Sequence, residues 1–552
     1  MNYFIVANNY DQSLIARLLH LRWIDEDSEQ FFDPTFKSYW IAGSLLRDFD
    51  IGLDRIIAAI NNGEKIAIFG DYDVDGVTSS WLLYTFIRRI CKHPKVTIRL
   101  PNRLEDGYGI KSYHLDEMKA AGVTLVITVD NGITSVQEAL HAKTIGLDIV
   151  ITDHHKQLDE IPDAIAVINP QVSPDYEFKW ICGVGVAFKV AVGMMQRLNY
   201  AADRMQQVVR YLLPMVAIGT VADCVPLISE NRLFVKQGLQ MLNTRQWVPK
   251  SLLGFIDHIG IKQDVDSYHI WYMIWPRINA GGRMISPYDS LWTLMHHGSS
   301  QIEYLENIDN LNTQRRQIQE QMFKQAEEQI NHDHHLLIAG WHDFHEGVVG
   351  IVSWRLTERY YKPSLVYKHD AQQWLIVASL RGPVYFSVIE MLYKAWNLLD
   401  RYGWHKQAWG LTIHEDKFED ACKLMQLYCT DTIVTEDAER FCRIDTIVQP
   451  HEMNAATITQ IMQLAPFGEW NREPLLARPD VLITRVTKVG KKGNWHLKFT
   501  LSYDGVIFDA LWWSKGARLM EFEIWQTWTL IGKLKSEQWN WYVVIEDLVV
   551  KL

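Results

Sequence analysis

The sequence predicts an α/β protein in three parts: a parallel sheet layered with helices, a second α/β part reached through one long helix, and a small β-barrel at the C-terminus. Three patterns carry this expectation. Short apolar runs alternate with helix-like stretches between residues 65 and 169, the signature of a doubly wound parallel sheet. Residues 302–332 are polar and contain neither Gly nor Pro, which suits a connecting helix. From about residue 475 the pattern becomes five alternating, turn-separated strands, as in a closed barrel of the OB type.

The first apolar run, residues 65–69, ends at Gly70, and a helical pattern follows from about Val77 to Arg89. Further strands are expected at 96–100, 125–129, 148–152 and 164–169, with helices at 112–121 and 134–144 between them. Residues 183–215 and 230–243 read as further helices on that core. A second strand–helix–strand unit starts at 336–340, continues through a helix near 348–361 and runs to about residue 445. Domain limits are set at 1–300, 301–334, 335–447 and 448–552.

Composition narrows the function classes. The 552 residues are 48% hydrophobic and 22% charged, which excludes a disordered tail, a collagen-like chain and a small disulfide scaffold. Fifty-five Lys and Arg stand against 66 Asp and Glu, a net charge of −11. Any nucleic-acid contact must then come from local basic grooves or bound cations. Six cysteines form no CxxC pair, so neither a disulfide framework nor structural zinc is expected. The N-terminus has no secretory pattern and no stretch reaches the length of a membrane span, which points to a reducing cytoplasm and no membrane. For any single one of the 22 tryptophans, packing outranks base stacking.

The most informative segment is Gly70-Asp71-Tyr72-Asp73-Val74-Asp75-Gly76. It follows a strand and precedes a helix. In extended backbone Asp71, Asp73 and Asp75 project to one side. One aspartate could cap the helix, but three exceed that need. An EF-hand loop is excluded because the flanks are strand and helix and no Glu stands at its twelfth position. The pattern recurs. The third strand ends at Asp130-Asn131-Gly132, the fourth at Asp153-His154-His155-Lys156, and a later apolar segment at Asp223. All are expected on one rim of one sheet, where parallel sheets place their ligands. Carboxylates converging without counter-charge repel, and divalent cations remove the repulsion. Asp and His without Cys suit Mn²⁺ or Mg²⁺, and the ligands suffice for two ions.

In their order and separations, the DYDVDG segment, TVDNG, TDHH and GTVADCVPL resemble the DHH phosphoesterase superfamily, and more closely its RecJ branch. The segment Asn102-Arg103 to Gly109, Asn169-Pro170, Gly183-Val184-Gly185 and Arg277 to Arg283 fit the same branch. The resemblance covers nearly the whole chain. It implies a parallel-sheet DHH domain, a DHHA1 domain after the long helix and an OB barrel. It further implies a metal-dependent exonuclease that degrades single-stranded DNA 5′→3′ to nucleoside 5′-monophosphates in DNA repair and recombination.

The resemblance also assigns roles. Asp71, Asp73, Asp75, Asp130, His154 and Asp223 would hold metal, with Asp130 bridging two ions and Asp71 more peripheral. His155 would contact the scissile phosphate and, with Asp71 and Asp130, form the catalytic set. Asn131 and Lys156 are turn-formers or supporting groups. Arg103, Arg283, Ser379, Arg381 and His405 would grip the strand, and single-strand-binding protein and a helicase would be partners of a monomer.

The DHHA1 segment departs from the family pattern. Gly382-Pro383 follows Arg381, and the loop Gly403 to Gly410 carries Trp404, Lys406 and Trp409 where small residues are usual. Trp404 or Trp409 either stacks on a base or fills a gap. The barrel's Trp512, Trp513, Trp539 and Trp541 are expected in its core. A DHH enzyme acting on short oligonucleotides or cyclic dinucleotides is the nearest rival, and a scaffold without catalysis the next.

Overall fold

In a computed structural model, residues 2–7, 11–24, 29–402, 408–433, 440–491, 494–537 and 540–550 are described. The chain divides into two compact units: residues 41–225 with 237–439, and residues 1–40 with 226–236 and 440–552. The first forty residues, read from sequence as an extension of the first part, cluster with the C-terminal residues.

The first unit contains two sheets. One is fully parallel, in the order Val96–Arg99, Ile66–Phe69, Leu125–Val129, Asp148–Thr152, Ala166–Ile168. Helices cover both faces, so its central strands are continuous apolar runs. Ile66, Ala67, Ile68 and Phe69 are all buried. Each buried Ile or Phe contributes about 1.5–3 kcal/mol. The chain turns one way from the first strand to the second and the other way to the third. A crevice therefore opens at their C-terminal ends. Asp71 and Asp130 stand just past those two ends.

Helix Ile302–Gln329 makes the expected connection. The second sheet runs Arg401–Tyr402, Ala408–His414, Leu375–Arg381, Ser364–Asp370, Leu337–Trp341. Its last pair is parallel and the rest antiparallel.

Two local expectations need correction. The helix after the first strand begins at Val74, with Asp73 as its N-cap. Asp73 accepts from the Gly76 N–H at 3.1 Å, so the three aspartates do not alternate along extended backbone. The apolar segment before Asp223 is the end of helix Ala202–Ala222, not a strand. Its residues from Leu212 to Ala222 are all buried, and a fully buried run lacks the periodicity that separates helix from strand. That helix also passes through Pro214 and runs on to Ala222, beyond the expected limit at 215.

In the second unit the strands Leu476–Lys491, Asn494–Tyr503, Val506–Trp512, Asn540–Val549 and Thr527–Glu537 follow one another in the sheet. Leu476–Lys491 also pairs with Thr527–Glu537 and closes the barrel, which removes both edges. Strand Asn2–Ala7 lies parallel to Phe441–Ile447 in the same sheet. Trp512 is buried and Trp541 packs against the core, whereas Trp513 is half exposed. The expectation that all four tryptophans are core therefore fails at Trp513, and Trp539 lies outside the described residues. No helix among the described residues is long and apolar enough to cross a membrane.

Candidate metal centre

The crevice is built from turns that the local sequence dictates. Asp71 follows the buried strand Ile66–Phe69 and accepts from the Tyr72 N–H at 2.8 Å. Asp75 lies in the first turn of the next helix and is fully buried. Its two oxygens accept from Gly183 N at 2.6 Å and Val184 N at 2.9 Å, the first amides of helix Gly183–Arg197. A helix N-terminus favours such an anion. Gly183 is required there, since a Cβ would sit 2.7 Å from Asp130 Oδ1. Asp130 ends the third strand in left-handed backbone, φ +61°, a conformation that short polar side chains tolerate and functional sites use. Asp223 caps the C-terminus of helix Ala202–Ala222.

The fourth strand delivers the histidines, and Asp153 fixes them. Asp153 Oδ1 accepts from His154 N at 2.7 Å and His155 N at 3.1 Å, and lies 2.8 Å from His155 Nδ1. Its Oδ2 accepts from Ile133 N at 2.9 Å. Asn169 Nδ2 donates to the His155 carbonyl at 2.9 Å. Asp153 was not among the residues singled out from sequence. The signal was its place beside two histidines, where an acid orients imidazole. Asn131 is fully buried and donates to Phe69 O and Val129 O, which pins the first strand to the third.

Three groups of possible ligand atoms result, each within 4.8 Å: Asp71, Asp73 and Asp130; Asp75, His154 and Asp223; and Asp130, His154 and His155. Every residue expected from sequence to hold metal is present in them. His154 Nε2 lies 3.1 Å from Asp130 Oδ1, 3.7 Å from Asp223 Oδ2 and 3.8 Å from Asp75 Oδ2.

The electrostatics call for cations. Burial first, and then the neighbouring carboxylates, push Asp71, Asp130 and Asp223 well above the ordinary range and Asp75 up to about 7. Burial also opposes the charge on Asp153 and His155, but their mutual attraction outweighs it, and the two sit at about 2 and about 9. Asp130 Oδ1 and Asp223 Oδ2 are buried and accept no hydrogen bond among the described residues. Unmatched acceptors of this kind are costly without a partner. A donor set of carboxylate oxygen and imidazole nitrogen, without thiolate, fits Mn²⁺ or Mg²⁺. Cys182 is close by, but its Sγ lies 3.2 Å from Thr220 Oγ1.

A pH dependence follows. Acids whose folded pKa is raised lower stability as pH climbs from their unfolded value near 3.9 through the folded one. His155, raised to about 9, contributes stability below its unfolded value of about 6.5 and loses it towards pH 9. Asp153, lowered to about 2, acts in the opposite sense only below about pH 4. Metal-free protein should therefore melt at lower temperature at pH 9 than at pH 5, and Mn²⁺ should flatten the decline. Thermal denaturation with chelator and with Mn²⁺ at the two pH values measures this.

Beside the crevice lies a set of guanidiniums. Arg103 stands over the Tyr72 ring at 5.1 Å. Arg283 Nη1 donates to Gly347 O at 3.3 Å, and Arg381 Nη1 to Ser379 Oγ at 2.8 Å. Among the described residues no carboxylate lies within ion-pair distance of these three arginines. Burial, and then the charges of Arg103, Arg315 and Arg381, lower Arg283 to about 9. Burial and Arg103 lower Arg381 to about 10. Arginines that repel one another in this way are poised for an anion. Arg315, on the connecting helix, was missed because nothing in a polar helix marks one arginine as inward. His405 and Trp404 lie outside the described residues. Trp409 is buried in the core of the second sheet, which settles the choice in favour of packing.

Residues 65–220 match the family model described as the DHH family, N-terminal domain, and residues 444–547 match the RecJ OB domain. The chain is 31% identical to the single-stranded-DNA-specific exonuclease RecJ of Salmonella typhimurium over 517 residues, 86% of each chain. The chain belongs to the RecJ family. It is also 31% identical to RecJ of Bacillus subtilis over 543 residues, 97% of this chain, and spans 65% of that relative's length. A crystal structure of exonuclease RecJ bound to manganese superposes with a TM-score of 0.62 and 26% identity, covering 72% of this chain and all of that one. RecJ from Thermus thermophilus in complex with Mn²⁺ shares the fold over 97% of this chain and 75% of its own, with a TM-score of 0.82 and 24% identity. The RecJ OB match begins inside strand Phe441–Ile447, and so takes in the partner of Asn2–Ala7 as well as the barrel.

Proposed function

We propose that this chain is a single-stranded-DNA-specific exonuclease, as its RecJ relatives are named, acting 5′→3′ and releasing nucleoside 5′-monophosphates in DNA repair and recombination. The observation that carries the reading is the convergence of Asp71, Asp73, Asp75, Asp130, His154, His155 and Asp223 in one crevice. These residues, His155 excepted, would hold two Mn²⁺ or Mg²⁺ ions. Asp130, like His154, belongs to two of the three ligand groups, which supports a part for both in holding the ions. The ions, when bound, activate water and neutralise charge on the phosphate.

The chain's own groups do the rest. Asp153 holds His155 protonated through Nδ1, so substrate contact falls to Nε2 and charge building on the phosphate is met there. Arg103, Arg283, Arg381 and Ser379 would grip a phosphate of the strand, and holding its 5′-terminal phosphate would set the polarity. Arg315 adds charge from the connecting helix. In this reading hydrolysis belongs to the part within residues 1–300, the helix of 301–334 connects, 335–447 grips the strand and 448–552 form the barrel part. A monomer in the cytoplasm, working beside single-strand-binding protein and a helicase, completes it.

Arg381→Ala should raise KM for a 5′-phosphorylated strand about 10- to 100-fold, since a hydrogen bond to a charged group contributes about 1.5–3 kcal/mol. KM for a 5′-hydroxyl strand should change less, and steady-state kinetics on the two strands reads the difference. The reading itself is tested by product analysis. Nucleoside 5′-monophosphates from single strand and none from duplex are expected. Cleavage of short oligonucleotides or cyclic dinucleotides alone would replace it.

A further inference from the structure

Between strand Ala166–Ile168 and helix Gly183–Arg197 the chain starts and ends against residues of the metal centre, and it carries an aromatic residue that none of the roles above uses. Asn169 holds the start of this loop against the His155 carbonyl. Asn169 Oδ1 accepts from Gln171 N at 2.7 Å, and Gln171 Nε2 donates to Lys179 O at 2.7 Å. The Lys179 ammonium in turn donates to Ser173 O. The loop is thus laced to itself directly before Trp180. Three residues later Gly183 N binds Asp75, and Gly183 has no room for a Cβ beside Asp130.

Each Cα step spans 3.8 Å, so the Trp180 Cα lies within roughly 11 Å of the Gly183 Cα. That is about one or two nucleotides of strand. Yet Trp180 is 45% exposed, in a T-shaped contact with the buried Phe178 ring, centroids 5.9 Å apart. Trp81 and Trp409, by contrast, are enclosed. A second ring borders the same ligands. Tyr108 is 38% exposed, and its hydroxyl stands 3.2 Å from His155 Nδ1.

The geometry points to Trp180 as a base-stacking platform: we propose that its indole stacks on a base of the strand whose phosphate occupies the metal centre. This rests on the reading that a single strand is the substrate. Stacking suits an enzyme that must accept any sequence, because every base presents a π-face. A half-exposed ring gives a contact that holds a base between steps and releases it at the next. Trp180 is a positioning residue and takes no part in the chemistry.

The test compares wild type, Trp180→Ala, Trp180→Leu and Trp180→Phe. Each digests an intact strand and a series carrying one abasic nucleotide at successive positions from the 5′ end. Trp180→Ala and Trp180→Leu should raise KM roughly tenfold, with a smaller effect on kcat, and Trp180→Phe should recover most of the loss. At one position the abasic nucleotide should raise KM for wild type by a similar factor and add nothing in Trp180→Ala. Recovery by leucine equal to that by phenylalanine would show packing and overturn the proposal. So would an abasic penalty that is the same with and without the indole. If Trp180→Ala melts early, the leucine and phenylalanine pair carries the comparison. Failure of the substrate reading looks different: wild type would leave every strand intact, and both claims would fall together.

Discussion

Asp130→Ala abolishes strand digestion in this account, lowering kcat by at least about three orders of magnitude, on the upper scale of losing a preorganised electrostatic group. The size follows from its position. Asp130 belongs to two ligand groups, is buried, and among the described residues holds one oxygen without a hydrogen bond. Its loss also has a thermodynamic signature that misfolding lacks. The carboxylate is pushed up by burial and by Asp75, Asp73, Asp223 and Asp71 around it, so removing it relieves repulsion. Metal-free Asp130→Ala should melt no lower than metal-free wild type. Wild type should gain about 2.7 kcal/mol with Mn²⁺ at a hundred times its Kd, and the variant should lose most of that gain. Activity and melting curves with and without Mn²⁺ check both statements.

Asp153→Asn should have the next largest effect. The amide keeps the shape but cannot hold a charged imidazole, and its NH₂ would face either the Ile133 N–H or His155 Nδ1 together with the backbone amides of His154 and His155. Second-layer partners of metal-site histidines typically account for 10- to 100-fold in affinity or activity. We expect kcat to fall in that range with metal still bound. The His155 pKa should drop from about 9 towards neutrality, because the charge and hydrogen bond that raise it are removed. Histidine NMR titration of the two proteins reads this directly, and an unchanged His155 titration would exclude the role given to Asp153.

Much of the site was legible in the sequence because it sits in short strand-end motifs. Asp71, Asp130 and His154 each follow an apolar run within a residue or two, and a parallel sheet brings such ends to one rim. Asp223 was found for a partly wrong reason. The buried apolar run before it has the look of a strand end, and helix Ala202–Ala222 delivers the same carboxylate from its C-terminus. Asp75 reached the site from the first turn of a helix, held by amides of a second helix more than a hundred residues away. That contact has no local signature. Nor has the pairing of Asn2–Ala7 with Phe441–Ile447, or the inward aim of Arg315 from a polar helix. Local pattern shows where a carboxylate is placed on the chain, and only the packed structure shows what holds it.

The central claim is that this crevice hydrolyses a single strand from its 5′ end. Its most direct test is digestion of a 3′-labelled single-stranded DNA by the purified chain with Mn²⁺, beside a duplex of the same sequence and the Asp130→Ala variant. The account predicts a ladder of progressively shorter labelled strands from the single strand alone, absent with Asp130→Ala. Immediate release of the labelled terminal nucleotide, equal digestion of the duplex, or an unchanged ladder with Asp130→Ala would contradict it.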